Sequence, residues 1–202
     1  TGFATYYNEP LYGMNFDFLN VDLKFSIKKY NDRKVFMFQY KQKQIDIAVA
    51  GMNSFGVFAN YQVLIPNNIE DYHLFYEPTT ALKNLLNPKM KVFQTIMPKI
   101  LKTANSVDDV KSYIKRNKFY FLPFKKIYKH HSLYADQNES FIFELFNSNA
   151  VILPMENKYS VISNFPHVPF KETKYSETYG FNSEAYKKAN DFIIEQRGYF
   201  NV

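Results

Sequence analysis

No stretch of this chain limits its fold as strongly as its opening, Thr1-Gly-Phe-Ala-Thr-Tyr-Tyr-Asn-Glu-Pro-Leu-Tyr-Gly-Met-Asn-Phe-Asp17. Phe3 to Tyr7 suits a strand, Asn8-Glu9-Pro10 is a turn cluster, and Leu11 to Phe16 is a second strand rich in aromatics. The stretch therefore predicts a β-hairpin. If Tyr7 faces Leu11, Thr1 lies opposite Asp17, and side chains so opposed sit about 4.5–5.5 Å apart at Cβ.

A carboxylate beside the start of a chain has a chemical reading. An α-amino group titrates at about 7.7–8.0, so it can serve as a base near neutrality. A terminal Thr, Ser or Cys can use that amine to activate its own nucleophile, and Asp17 would orient it. The plainer alternative is a polar hairpin end that solvates an acid.

Order and spacing of short motifs bear on the choice. Thr1-Gly-Phe-Ala followed by Tyr12-Gly-Met-Asn-Phe-Asp17 resembles the opening of the choloylglycine hydrolase family, Cys-Thr-Gly, a hairpin, then Gly-Arg-Asn-x-Asp. Gly51-Met-Asn-Ser-Phe-Gly56-Val resembles its Gly-Met-Asn-x-x-Gly-Leu turn, and Ser163-Asn-Phe-Pro166 its Thr-Asn-x-Pro segment. Ala104 to Lys111 resembles the helix start between them. The family holds conjugated bile salt hydrolases and penicillin V acylases, which are N-terminal nucleophile hydrolases.

The resemblance implies an α+β fold, the four-layer αββα sandwich, as one domain over residues 1–202 that lacks its last strands. It implies hydrolysis of a linear amide carbon–nitrogen bond through an acyl-enzyme. Three departures stand out. The chain contains no Cys, so the nucleophile is either a Cys immediately before Thr1 or Thr1 itself. Met14 stands where the family has an active-site arginine. The family also continues further at the C-terminal end, with another arginine and more strands.

Twenty-five Lys and Arg against 19 Asp and Glu leave a net charge of +6, which favours the approach of anionic substrates. The basic residues are scattered, with short runs at Lys28-Lys29 and Lys125-Lys126, and no nucleic-acid motif accompanies them. Zero Cys excludes disulfides and thiolate metal sites within this sequence. It has no apolar run of about eighteen residues and no visible signal peptide, so the default location is cytoplasmic. No cofactor and no metal is expected. The expected partner is a small-molecule N-acyl amide substrate, with no nucleic acid and no membrane; self-association into a homo-oligomer is left open.

With 21 Phe and 17 Tyr, a large sheet content follows. Val21 to Lys28 alternates, Val21, Leu23, Phe25 and Ile27 on one face, and reads as a half-buried strand. Tyr30 to Arg33 is a turn, Lys34 to Tyr40 a strand, and Ile45 to Ala50 a strand entering the turn Gly51 to Gly56, where Gly and Asn53 would adopt positive φ. Val57 to Ile65 places Asn60 and Gln62 on one face. The family's oxyanion group falls on this strand; an ungapped match lands on Val63, so Gln62 is the first candidate donor and Asn60 the second. Tyr72, Phe75 and Tyr76 lie in an irregular stretch that either lines an acyl pocket or packs on the core.

Val92 to Thr103 has helical spacing with Pro98 as a bend or start, and Ser106 caps a helix to about Arg116. The two helices should cover one sheet face. Adjacent His130 and His131 point to opposite faces of a strand and make a poor metal pair. Strands follow at Phe141–Phe146, Asn149–Pro154 and Tyr159–Ser163, the last delivering Asn164. On its own Asn164 is a turn former; the resemblance makes it a second amide of the active site. A helix capped by Ser183 and closed by Gly198 ends the chain. The catalytic set so expected is Thr1 or the residue before it, Asp17, Gln62, Asn60 and Asn164. The alternatives are an acyltransferase using the same acyl-enzyme and a catalytically silent ligand-binding homologue.

Overall fold

The alternating, aromatic-rich segments form strands β1 (Gly2–Thr5), β2 (Leu11–Met14), β3 (Asp22–Tyr30), β4 (Arg33–Gln42), β5 (Ile45–Asn53) and β6 (Phe58–Val63). Beyond them come β7 (Met90–Val92), β8 (Lys118–Tyr120), β9 (His130–Ala135), β10 (Ser140–Phe146), β11 (Asn149–Pro154) and β12 (Tyr159–Ile162). Helices are α1 (Ile96–Thr103), α2 (Val107–Arg116) and α3 (Ser183–Glu195). The computed structural model describes residues 1–16, 22–42, 45–65, 87, 89–121, 129–146 and 149–196. The chain is α+β, with a seven-stranded antiparallel sheet ordered β11-β10-β9-β6-β5-β4-β3 and a three-stranded one ordered β12-β1-β2.

Helices α1 and α2 cover one face of the large sheet, as their apolar stripes require. Ile96, Met97, Ile100, Val107, Val110 and Ile114 pack with Val35, Met37, Ala59, Tyr61 and Phe143. Each Val, Ile, Met or Phe side chain among them taken out of water contributes about 1.5–3 kcal/mol. Polar groups fasten the helix ends. The Tyr61 hydroxyl donates to the Phe93 carbonyl at 3.0 Å and accepts the Met97 amide at 2.8 Å, satisfying an N–H of the first turn. Ser106 accepts the Asp109 amide at 3.2 Å, and Asp136, in the β9–β10 turn, accepts the Val107 amide at 2.6 Å. A carboxylate there also complements the helix dipole. Pro98 lies in the first turn of α1, where a missing N–H costs nothing.

The small sheet covers part of the opposite face. Ala4 and Ile162 pack on Leu133, Ala135 and Ile142, and Tyr12 stacks on Phe58 with ring centroids 5.2 Å apart. Helix α3 packs against β12.

Several expectations need correction. In the opening hairpin Gly2 pairs with Met14 and Thr5 with Leu11, so paired positions sum to sixteen, two fewer than a Tyr7–Leu11 pairing gives. The strands are shorter and the turn longer than the turn cluster alone indicates, which puts Asn15 opposite Thr1. Asp17 lies outside the described residues. Among the described residues, strand β3 is an edge strand paired only with β4, and it is not half-buried: Phe25 is 65% and Ile27 71% exposed.

Gly51 lies inside β5 rather than in a turn. A Cβ there would sit 2.6 Å from Leu101 Cδ1 and 2.7 Å from the Phe36 carbonyl oxygen, so this glycine admits α1 to the sheet. Within the turn read at residues 51–56, only Gly56 adopts positive φ, 83°. Asn53 instead ties the hairpin to α1. Its Nδ2 donates to the Leu101 and Ala104 carbonyls, and its Oδ1 accepts the Phe55 and Val57 amides. The N-cap of α3 is Asn182 at φ 63°, with Ser183 its first helical residue. Gly198, Tyr72, Phe75 and Tyr76 lie outside the described residues. The parallel pair β7–β8 had no expectation, because three-residue strands carry no readable period.

No helix among the described residues is long and apolar enough to cross a membrane.

Candidate active site

Strand β1 is central in the small sheet, held between β12 and β2. Its partners fix where the chain's first described residue lies. The Thr1 carbonyl accepts the Asn15 amide at 2.8 Å. Gly2 pairs with Ile162, so Thr1 stands across from Ser163, and the two hydroxyls are 3.5 Å apart. Ser163 Oγ donates onward to the Asn182 carbonyl at 3.2 Å.

The α-amino nitrogen of Thr1 is 3.4 Å from Gln62 Oε1, to which it donates. Gln62 comes from β6, whose alternation turns Ala59 and Tyr61 into the helix-side core and Asn60 and Gln62 toward the small sheet. The shared face read from the sequence is therefore present. The two amides differ in their surroundings. Gln62 lines a cleft, and its Nε2 is buried with no hydrogen-bond partner among the described residues. Asn60 is fully buried beneath Gly2, with neither Nδ2 nor Oδ1 partnered among them. A Cβ on Gly2 would come within 2.2 Å of Asn60 Nδ2. Asn60 is thus covered by the strand that starts at the site, while Gln62, also buried, borders the cleft.

Asn164 lies at the end of β12. Its Nδ2 donates to the Val63 carbonyl at 2.9 Å, and its Oδ1 accepts from Asn182 Nδ2 at 2.9 Å. Its backbone carbonyl accepts the Ile65 amide at 2.8 Å. The bonds to Val63 and Ile65 tie the end of β12 to the end of β6, and the bond from Asn182 ties it to the start of α3.

The cleft measures about 290 Å³; Thr1, Gln62 and Asn164 line it together, with Met14, Phe16 and Tyr40 supplying apolar wall. Met14 occupies the position where the resemblance implies an arginine, so that position presents a thioether rather than a cation. His130 also borders the cleft. Burial, reinforced by the neighbouring His131, lowers its pKa to about 4, so it is neutral at physiological pH. His130 lies near Tyr61 while His131 turns to Glu144, and the described residues hold no cluster suited to a metal.

The structure thus brings Thr1, Gln62 and Asn164 together, buries Asn60 just behind them, and leaves Asp17 undescribed. Sequence reasoning gave no role to the Ser163 hydroxyl or to Asn182. Ser163 meets Thr1 only through the β1–β12 pairing, which joins opposite ends of the chain. Asn182 had only a local signal, the cap of a helix.

No family model matches the sequence, and no curated protein matches it. Solved structures do match. A variant of conjugated bile acid hydrolase from Clostridium perfringens with an arginine replaced by leucine superposes with a TM-score of 0.58 at 14% identity, over 90% of this chain and 60% of that one. A second variant of that hydrolase, with a cysteine replaced by alanine, gives 0.61 at 13% identity, over 88% of this chain and 57% of that one. The chain spans about 60% of the length of these structures. What it shares with conjugated bile acid hydrolase, at this identity, is the fold.

Proposed function

We propose that this chain is the body of a linear amide hydrolase whose nucleophile is a cysteine on the residue immediately before Thr1. The pleat of β1 carries this reading. Gly2 faces Asn60 and the space between the sheets, whereas the Thr1 hydroxyl lies toward Ser163 and the start of α3. Successive side chains in a strand alternate. A residue before Thr1 therefore shares the face of Gly2 and projects beside Gln62. Thr1 as nucleophile would have its hydroxyl on the other face.

The chemistry then runs in two halves. The α-amine takes the thiol proton as sulfur attacks the amide carbon, and returns it to the departing amine as the carbon–nitrogen bond breaks. Water next cleaves the thioester, releasing the acid and restoring the thiol. The developing oxyanion needs donors already in place; Gln62 Nε2, buried and unpartnered, suits that role, with Asn164 as a second amide. One such donor is worth about 3–4 kcal/mol of transition-state stabilisation. Asn60 acts as packing under Gly2. Asp17, two residues past Asn15, is kept as the acid that orients the amine. Helices α1 and α2, the two sheets and α3 are read as the layers of an αββα sandwich. The apolar wall of Met14, Phe16 and Tyr40 suits an apolar acyl group.

The test uses the protein carrying an unblocked Cys before Thr1, the same protein with Ala there, and the chain beginning at Thr1. Each is assayed on a panel of N-acyl amino acids and N-acyl anilides. Turnover by the Cys form alone is expected. Equal turnover by the chain beginning at Thr1 would assign the nucleophile to Thr1 instead.

A further inference from the structure

Behind the cleft lies a buried polar cluster that the reaction does not use. His131 on β9 and Glu144 on β10 are 0% and 1% exposed. Both are on the large sheet, yet they reach the end of β12. His131 Nε2 is hydrogen-bonded to the Ser163 carbonyl oxygen. A carbonyl only accepts, so that nitrogen carries hydrogen. The other ring nitrogen, Nδ1, is 3.2 Å from Glu144 Oε2.

Glu144 is also an acceptor for backbone. Its Oε2 receives the His167 amide at 2.9 Å and its Oε1 the Val168 amide at 3.4 Å. Backbone N–H groups thus reach both carboxyl oxygens of Glu144, which act as acceptors. As an acceptor toward His131 too, Glu144 requires Nδ1 to donate, and the two make a buried ion pair. A second imidazole completes the arrangement. His167 Nε2 accepts the Ser163 amide at 3.2 Å, so it bears no hydrogen. Burial and the adjacent charge of His131 hold the pKa of His167 well below its ordinary value, in keeping with a neutral acceptor.

Ser163 is therefore gripped on both sides of its own residue, its N–H by one imidazole and its C=O by another. Its side chain faces Thr1, and the next residue is Asn164. We propose that His131 and Glu144 are positioning residues: their ion pair fixes the Ser163–Asn164 corner against the start of β1 and so holds the second amide of the cleft at its working distance. The catalytic consequence rests on the hydrolase reading above; the mechanical claim does not. Removing one member of such a pair leaves the other buried and uncompensated, so the corner, rather than the distant helices, should loosen first.

Three measurements decide it. In the unmodified protein, ¹⁵N chemical shifts of the His131 ring should show hydrogen on both nitrogens near neutral pH; a bare Nδ1 overturns the ion pair without any variant. In Glu144→Gln, amide hydrogen exchange at Ser163 should accelerate at least tenfold relative to wild type, with exchange at Tyr61 and Ile100 changed less than threefold. Unchanged exchange at Ser163, or equal acceleration everywhere, overturns the positioning role. In the Cys-bearing protein, Glu144→Gln should lower kcat at least tenfold with KM within about threefold, and His131→Gln, which keeps one donor for the Ser163 carbonyl, should lose less. If wild type turns over no amide at all, the hydrolase reading fails, while the ring shifts and exchange still judge the corner.

Discussion

Replacing Gly2 with Ala probes the most crowded point of the site. The added methyl would sit 2.2 Å from Asn60 Nδ2, 3.1 Å from Asn60 Cγ and 3.1 Å from Ile162 Cγ2. Asn60 is short and wholly buried, so it cannot swing away into solvent. Strand β1 is held on both edges, so it cannot retreat either. Overpacking of this kind costs about 1–3 kcal/mol. Asn60→Ala should behave differently, because the amide it removes has no partner among the described residues. Losing an unsatisfied buried amide sacrifices no hydrogen bond, and the cost should be the residual cavity alone, about 1 kcal/mol or less. The double variant lets the new methyl occupy the space that the amide vacates. A double-mutant cycle by urea unfolding should then show a favourable coupling of about 1–2 kcal/mol between the two sites. Additive effects, or a neutral Gly2→Ala, would refute the contact and with it the placement of β1 over β6.

Gln62→Ala in the Cys-bearing protein should lower kcat about 10²–10³-fold through loss of an oxyanion donor, read by steady-state kinetics, whereas Asn60→Ala should stay within about fivefold of wild type. Asn53→Ala removes two hydrogen bonds from the β5–β6 hairpin to the end of α1 and two more within the hairpin turn; chemical denaturation should show a loss of about 2–4 kcal/mol, since several backbone groups are left unpaired together. The fourth prediction concerns acid. His130 titrates at about 4 in the folded protein and at about 6.5 unfolded. Below pH 6.5 the unfolded chain therefore binds the proton first, so stability falls as pH drops and levels off below about pH 4. That single group should contribute a loss of about 3 kcal/mol across the window, and a His130→Gln variant should lack that component when unfolding is compared at pH 6.5 and pH 4.

The parts of the molecule that follow local rules could be read directly. Alternation placed Asn60 and Gln62 on one face because β6 is regular and half of it packs on helices. Ser106 announced α2 because a capping hydroxyl and first-turn acids act within a few residues. What failed depended on partners far away in sequence. The register of the opening hairpin shifted by two residues, Leu11 pairing with Thr5 rather than Tyr7, since an Asn-Glu-Pro turn does not itself specify how many residues it spans. Gly51 looked like a turn glycine and is a contact glycine, a difference visible only once Leu101 is laid across it. Leu23, Phe25 and Ile27 carry the alternation of a half-buried strand, yet β3 is an edge strand and they are exposed. The pairing of β1 with β12, which creates the site, has no local signature; the short Ser163 to Pro166 motif hinted at it through resemblance.

In the proposed reaction the residue before Thr1 takes the acyl group from an amide. Intact-mass spectrometry followed by peptide mapping, on Cys-bearing protein mixed with an N-acyl anilide and quenched in acid during turnover, addresses it directly. A mass gain equal to one acyl group is expected, located on the N-terminal peptide and absent when the Cys is replaced by Ala. Turnover with no adduct on that peptide, or an adduct on Thr1 Oγ1 or any other residue, would contradict it.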